Sequence, residues 1–118
     1  MSTNFKGWIG VDLDGTLAVY EGWRGAGHIG EPVVPMVTRV LRWLTAGEDV
    51  RIFTARVGPQ KDVNDAIRAR EGIDAWCLKH LGQTLPITAT KDYAMRELWD
   101  DRCVQVEPNT GRRVDGKP

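Results

Sequence analysis

Apolar residues fall along this chain in short runs that each end in a polar cluster. Trp8-Ile9-Gly10-Val11 stops at Asp12, and Val50-Arg51-Ile52-Phe53 stops at Thr54-Ala55-Arg56. Runs of that length, bounded by turn-forming residues, predict buried strands that finish at polar turns. Between them, Val33, Val37, Val40, Leu41 and Leu44 share one face of a helix. Pro32 and Pro35 suit its first turn and Gly47 its end. Helical patterning resumes from Pro59 to about Gly82, with a break predicted near Gly72. There Val63, Ala66 and Ile67 make one face, and Trp76, Cys77, His80 and Leu81 another. Leu85–Ala89 reads as a weaker strand and Asp92–Met95 as one helical turn. Glu97-Leu98-Trp99 and Cys103-Val104-Gln105-Val106 read as two further short strands. Residues 18–31, rich in glycine and without period, predict a flap, and 108–118 a turn followed by a frayed tail.

This alternation predicts an α/β fold: a three-layer, Rossmann-like, doubly wound parallel sheet with helices on both faces, in one domain over residues 1–118. In such sheets ligands sit beyond the carboxyl ends of the strands. Asp12, Thr54, Lys91 and the pair Asp100-Asp101 are therefore expected along one edge.

Composition narrows the picture without redirecting it. Hydrophobic residues make up 42% and charged ones 27%, as in ordinary globular domains. Sixteen basic residues balance sixteen acidic ones, so no overall charge draws the protein to nucleic acid or a membrane surface. Cys77 and Cys103 each fall within an apolar stretch, which favours two buried free thiols and a reducing compartment. Met1-Ser2-Thr3-Asn4-Phe5-Lys6 lacks the pattern of a signal peptide, and no stretch approaches the roughly 20 apolar residues of a membrane span. The expected location is cytoplasmic.

The candidate chemistry begins at Val11-Asp12-Leu13-Asp14-Gly15-Thr16-Leu17. Two carboxylates at i and i+2 beyond a strand project to one side and repel, and a divalent cation with hard oxygen ligands relieves that repulsion. Gly15 permits a sharp bend that turns backbone N–H groups toward an anion. Alone, such a sequence is as easily a simple acidic turn. Thr54 and the backbone N–H at Ala55 can hold a phosphate oxygen, although a threonine there also suits a helix N-cap. Lys91 could neutralise a phosphate, or be an ordinary surface lysine. Asp100-Asp101 is a second acidic pair at a strand end, costly without a cation nearby.

Taken in order, Val11-Asp12-Leu13-Asp14-Gly15-Thr16-Leu17, Phe53-Thr54-Ala55-Arg56, Lys91 and Trp99-Asp100-Asp101-Arg102 resemble the motifs of the haloacid dehalogenase superfamily of phosphohydrolases, from Trp8 to about Gly111. The Asp-Asp-Arg form of the last motif is similar to that of small members acting on nucleotide or polynucleotide phosphates. The resemblance implies a magnesium-dependent phosphomonoester hydrolase in which Asp12 is the nucleophile and Asp14 the general acid and base. It implies a magnesium ion held by Asp12, the backbone carbonyl of Asp14 and the Asp100-Asp101 pair, with Asp100 as the favoured direct ligand. Thr54, Ala55, Gly15 and Lys91 would hold the phosphate. The short gap between Lys91 and Asp100 implies a reduced helix there.

The spans between motifs leave room for no cap domain. A capless site accepts a bulky phosphate ester, a nucleotide or nucleic-acid end, or is lidded by a second subunit in a homo-oligomer. Trp23, Arg24 and Arg56 are candidate substrate contacts; Trp23 could equally pin the flap to the body. Trp8, Trp43, Trp76 and Trp99 lie in apolar segments and are expected in the core. A sugar or metabolite phosphatase, and a catalytically weak metal-binding regulatory module of the same fold, are the alternatives. A receiver domain is disfavoured, because its phosphorylated aspartate follows a later strand.

Overall fold

The structure, a computed structural model, describes residues 6–118. Residues 1–5, which the targeting-sequence reading concerned, lie outside it. Four strands form one sheet: β1 (Trp8–Asp12), β2 (Asp49–Phe53), β3 (Ile87–Thr88) and β4 (Met95–Trp99). Their order is β3-β2-β1-β4 and every pairing is parallel. Helix α1 (Val34–Thr45) connects β1 to β2, and α2 (Val63–Leu81) connects β2 to β3. This is the Rossmann-like α/β sheet that the alternation predicts. The chain leaves β1 toward β2 on one side and returns to pair β4 on the other. The end of β1, where Asp12 stands, is thus the switch point at which such sheets open a crevice.

Ile9, Val11, Val50 and Ile52 share one sheet face and pack with Met36 and Val40 of α1 and Ile73, Trp76, Cys77 and Leu81 of α2. One cluster holds residues of both helices, and the helices touch each other, so both lie on that face. Helices on both faces were the expectation, but the β3-to-β4 connection carries none. Trp8 closes the opposite face: its ring stacks near Phe53 at 6.5 Å, lies under the Arg51 guanidinium at 4.7 Å, and covers Gly10. Its indole N–H donates to Asp92 at 2.8 Å. A large aromatic thus fills part of the space a helix would occupy.

Other elements depart from the sequence expectation in instructive ways. α2 runs unbroken through Gly72 and ends at Gly82 in the left-handed conformation. Val63 and Ile67 are 72% and 48% exposed, so the inward face of α2 runs instead through Ala69, Ile73, Trp76, Cys77 and Leu81. Asp92–Met95 is a turn leading directly into β4, not a helical turn. Cys103–Val106 is no strand; only Val106 bridges, to Arg113. Instead of fraying, the segment after it closes a hydrogen-bonded hairpin, with Glu107 N–H on Arg112 O at 2.7 Å and Val114 N–H on Gln105 O at 2.9 Å. Asn109 turns it at φ 65°. Cys77 is buried and Cys103 exposed, correcting the expectation of two buried thiols. Trp8 and Trp76 are buried, while Trp43 and Trp99 meet edge to face at 5.1 Å and only partly bury against the core. Among the described residues no helix is long and apolar enough to cross a membrane.

Residues 18–31 form a flap whose base is a short ladder. Val19 N–H donates to Glu31 O and Val33 N–H to Leu17 O, each at 2.8 Å. The flap is strapped to α2: the Trp76 indole donates to Gly30 O at 2.8 Å, and the backbone of Gly27 lies directly on Gly72.

Candidate active site

Alternation along the end of β1 sets up the site. Leu13 and Leu17 are fully buried and anchor the turn, which sends the flanking Asp12 and Asp14 the other way. Leu17 N–H and Ala18 N–H return to Leu13 O at 3.0 and 2.9 Å, a tight local turn. Gly15 makes it possible in two respects. Its φ is +90°, and a Cβ there would meet an Asp101 carboxylate oxygen at 2.5 Å.

Asp12, Asp100 and Asp101 converge: one carboxylate oxygen from each lies within 4.8 Å of the others. Thr16 organises them, its hydroxyl lying 3.2 Å from Asp12 Oδ2 and 3.3 Å from Asp101 Oδ1 while accepting from Asp101 N–H at 3.0 Å. Asp100 accepts from Arg102 N–H at 2.8 Å. Burial first, then the Asp100 carboxylate, pushes the Asp12 carboxyl from 3.8 up to about 7. Three carboxylate oxygens this close together could hold a divalent cation.

The Asp14 side chain stands apart from that cluster. Both its oxygens accept from Arg56, Nε at 2.9 Å and Nη2 at 2.8 Å. Arg56 is only 6% exposed and follows β2 in a short 3-10 turn, Ala55–Val57. Thr54 caps that turn by accepting Arg56 N–H at 3.2 Å, which realises the capping role and leaves its own O–H to donate. The other side of the guanidinium reaches the flap, donating to Ala26 O at 2.8 Å and Gly25 O at 3.4 Å. Trp23 covers it, 4.9 Å from ring centroid to guanidinium, and its ring also faces Lys61 Nζ at 5.4 Å.

A cavity of about 630 Å³ gathers Asp12, Asp14, Gly15, Trp23, Thr54, Ala55, Arg56, Asp100 and Asp101, all singled out in the sequence. Tyr20, Phe53, Lys61 and Arg102 complete its wall. Lys91 is exposed and not part of that wall; Arg24 lines a neighbouring cavity of about 230 Å³ beneath the flap, with Glu21, His28 and Glu31. Asp14, Tyr20 and Arg56 are common to both cavities. Sequence reasoning overlooked Thr16 as the organiser of the acids, though it stands inside the first motif. It also overlooked Lys61, for which no local pattern gave a signal.

No family model matches the chain, and no curated protein matches it. Among solved structures, it is similar to a conserved protein of Bacteroides thetaiotaomicron, with a TM-score of 0.55 at 19% identity, over 95% of this chain and 81% of that one. At that identity the likeness speaks for the α/β fold alone.

Proposed function

We propose that this protein is a magnesium-dependent phosphomonoester hydrolase of the haloacid dehalogenase type, working through an aspartyl-phosphate on Asp12. The observation that carries the reading is the meeting, at the switch point of the sheet, of the Asp12-Asp100-Asp101 cluster with Asp14 in one cavity. Once Asp12 is ionised, four carboxylates line that cavity against three cationic side chains, one net negative charge facing a phosphate. One bound divalent cation reverses the sign. Asp12, Asp100 and Asp101 would hold it, and it would supply charge neutralisation for the incoming phosphoryl group.

In this mechanism an Asp12 oxygen attacks phosphorus. The bond to the leaving oxygen breaks with its electron pair on that oxygen, which takes a proton from Asp14. Asp14 then takes a proton from the water that attacks phosphorus, releasing inorganic phosphate and restoring Asp12. Thr54, Lys61 and Arg102 line the same cavity, where they would stabilise charge on the transferring group.

A cavity of about 630 Å³ favours a nucleotide or an exposed nucleic-acid end as substrate. The smaller cavity of about 230 Å³ beside it favours a second reading, a small phosphorylated metabolite. The test is hydrolysis of p-nitrophenyl phosphate, followed by a panel of nucleotides, phosphorylated oligonucleotides and sugar phosphates. Turnover should require magnesium and disappear in Asp12→Asn. Absence of turnover on the whole panel with magnesium would overturn the proposal.

A further inference from the structure

Arg56 makes an uncommon set of commitments for a side chain facing an anion-binding cavity. Its fork is spent on Asp14, its remaining edge on the flap carbonyls of Ala26 and Gly25, and its face on Trp23. A guanidinium this buried is tolerated because it is paired and hydrogen-bonded on nearly every side. Engaged in this way, it has little left to offer a phosphate. It is tied to the backbone as well, through the cap that Thr54 places on its N–H.

We propose that Arg56 is the positioning residue for Asp14 and that it couples Asp14 to the flap. The inference rests on the phosphatase reading above, in which Asp14 moves the proton. An aspartate on a glycine-containing turn has two side-chain torsions to fix, and a proton-transfer group must be held to within about half an ångström. The fork fixes both Asp14 oxygens in one plane, so their remaining lone pairs point in set directions. When the leaving oxygen takes the Asp14 proton, the carboxylate left behind is received by two N–H donors already in place. When water attacks phosphorus in the second step, its proton passes to the same group. The flap enters because Gly25, Ala26 and Trp23 hold the far side of the guanidinium. A ligand that shifts the flap therefore shifts Asp14. Lysine cannot substitute, since it offers a point charge and no fork.

The test compares two esters. A simple alkyl phosphate needs its leaving oxygen protonated, whereas 2,4-dinitrophenyl phosphate does not. Arg56→Ala and Arg56→Lys should lower kcat on the alkyl ester by about 10²-fold or more, so that the dinitrophenyl-to-alkyl rate ratio rises by at least about tenfold. Trp23→Ala should raise the same ratio by a smaller factor. On the alkyl ester, Asp14→Asn with Arg56→Lys should be no slower than Asp14→Asn alone, because both changes act through one group. An equal loss on both esters in Arg56→Lys, or a rise in KM with kcat intact, would overturn the proposal: the first marks a structural residue, the second a direct phosphate contact. If Arg56→Ala does not fold, the lysine variant and the double variant decide. Wild-type turnover of the dinitrophenyl ester upholds the phosphatase reading whatever the Arg56 variants do. Turnover of neither ester overturns both.

Discussion

The backbone of Gly27, in the flap, rests on the α-carbon of Gly72, halfway along α2. A Cβ at position 72 would meet the Gly27 carbonyl carbon and α-carbon at 3.0 Å, and its oxygen more closely still. Alanine is the better helix former by about 1 kcal/mol. Even so, Gly72→Ala should destabilise the protein, because backbone rather than a flexible side chain must move. Chemical denaturation should show a lower midpoint, and amides of residues 18–31 should exchange faster. A stabilised variant with unchanged exchange would mean that the flap has room to yield.

Trp76 pins the same flap from a second point through its bond to Gly30 O. Trp76→Phe keeps an aromatic ring but removes the donor, leaving the carbonyl of Gly30 without it. The expected loss is about 1–2 kcal/mol, measured by urea unfolding. The larger signature should be local, with exchange protection lost near Gly30 before the helix itself loosens.

Under the proposed reading, the acidic cluster should make stability depend on pH and magnesium together. Folding raises the Asp12 carboxyl to about 7, through burial and then Asp100, whereas an unfolded aspartate titrates near 3.9. Between those values the metal-free folded protein binds a proton that the unfolded chain has given up. Its stability should therefore fall as pH rises from about 4 to about 7 and level off above. Magnesium bound there would relieve the repulsion of the charged cluster, so the rise in Tm it produces should be larger at about pH 8 than at about pH 5. Thermal melts with and without magnesium measure this directly, and an effect of equal size at both pH values would speak against metal at these three aspartates.

If the site takes a phosphate ester as proposed, Lys61 and Lys91 divide the question of which cation meets it. Lys61 is in the cavity wall and Lys91 is not. Lys61→Ala should raise KM or weaken competitive inhibition by inorganic phosphate by about 5- to 50-fold, and Lys91→Ala by less than about threefold. The reverse order would show that the loop after β3 closes over the substrate.

Much of this was readable from local pattern. β1 and β2 show as apolar runs because both are central strands, and α1 shows because Val33, Val37, Val40 and Leu44 pack on the core. What could not be read depends on partners distant in sequence. Gly72 looks like a helix breaker until the flap backbone that needs the space is known. Val63 and Ile67 look like a core face, but the inward stripe of α2 is set by where Trp76 and Ile73 meet the sheet. Arg56 reads as a substrate contact because arginine suits phosphate, and only the fold shows that Asp14 occupies its fork. Trp8 reads as a core residue from its apolar neighbours, but nothing local shows that its ring packs against Phe53 and Arg51 on the helix-free face.

Thr16 and Asp101 are joined by hydrogen bonds across 85 positions of sequence. Asp100 and Asp101 follow β4, an outermost strand whose pairing in the sheet is with β1 alone. The two halves of the acidic cluster therefore exist as one object only while that edge stays zipped. A chain emerging from synthesis has Asp12 early and acquires Asp100 and Asp101 near the end. Fraying of a single edge strand would open the cluster with the core intact, so the life of the site is set by the hold of β4 on β1 and not by the stability of the whole fold.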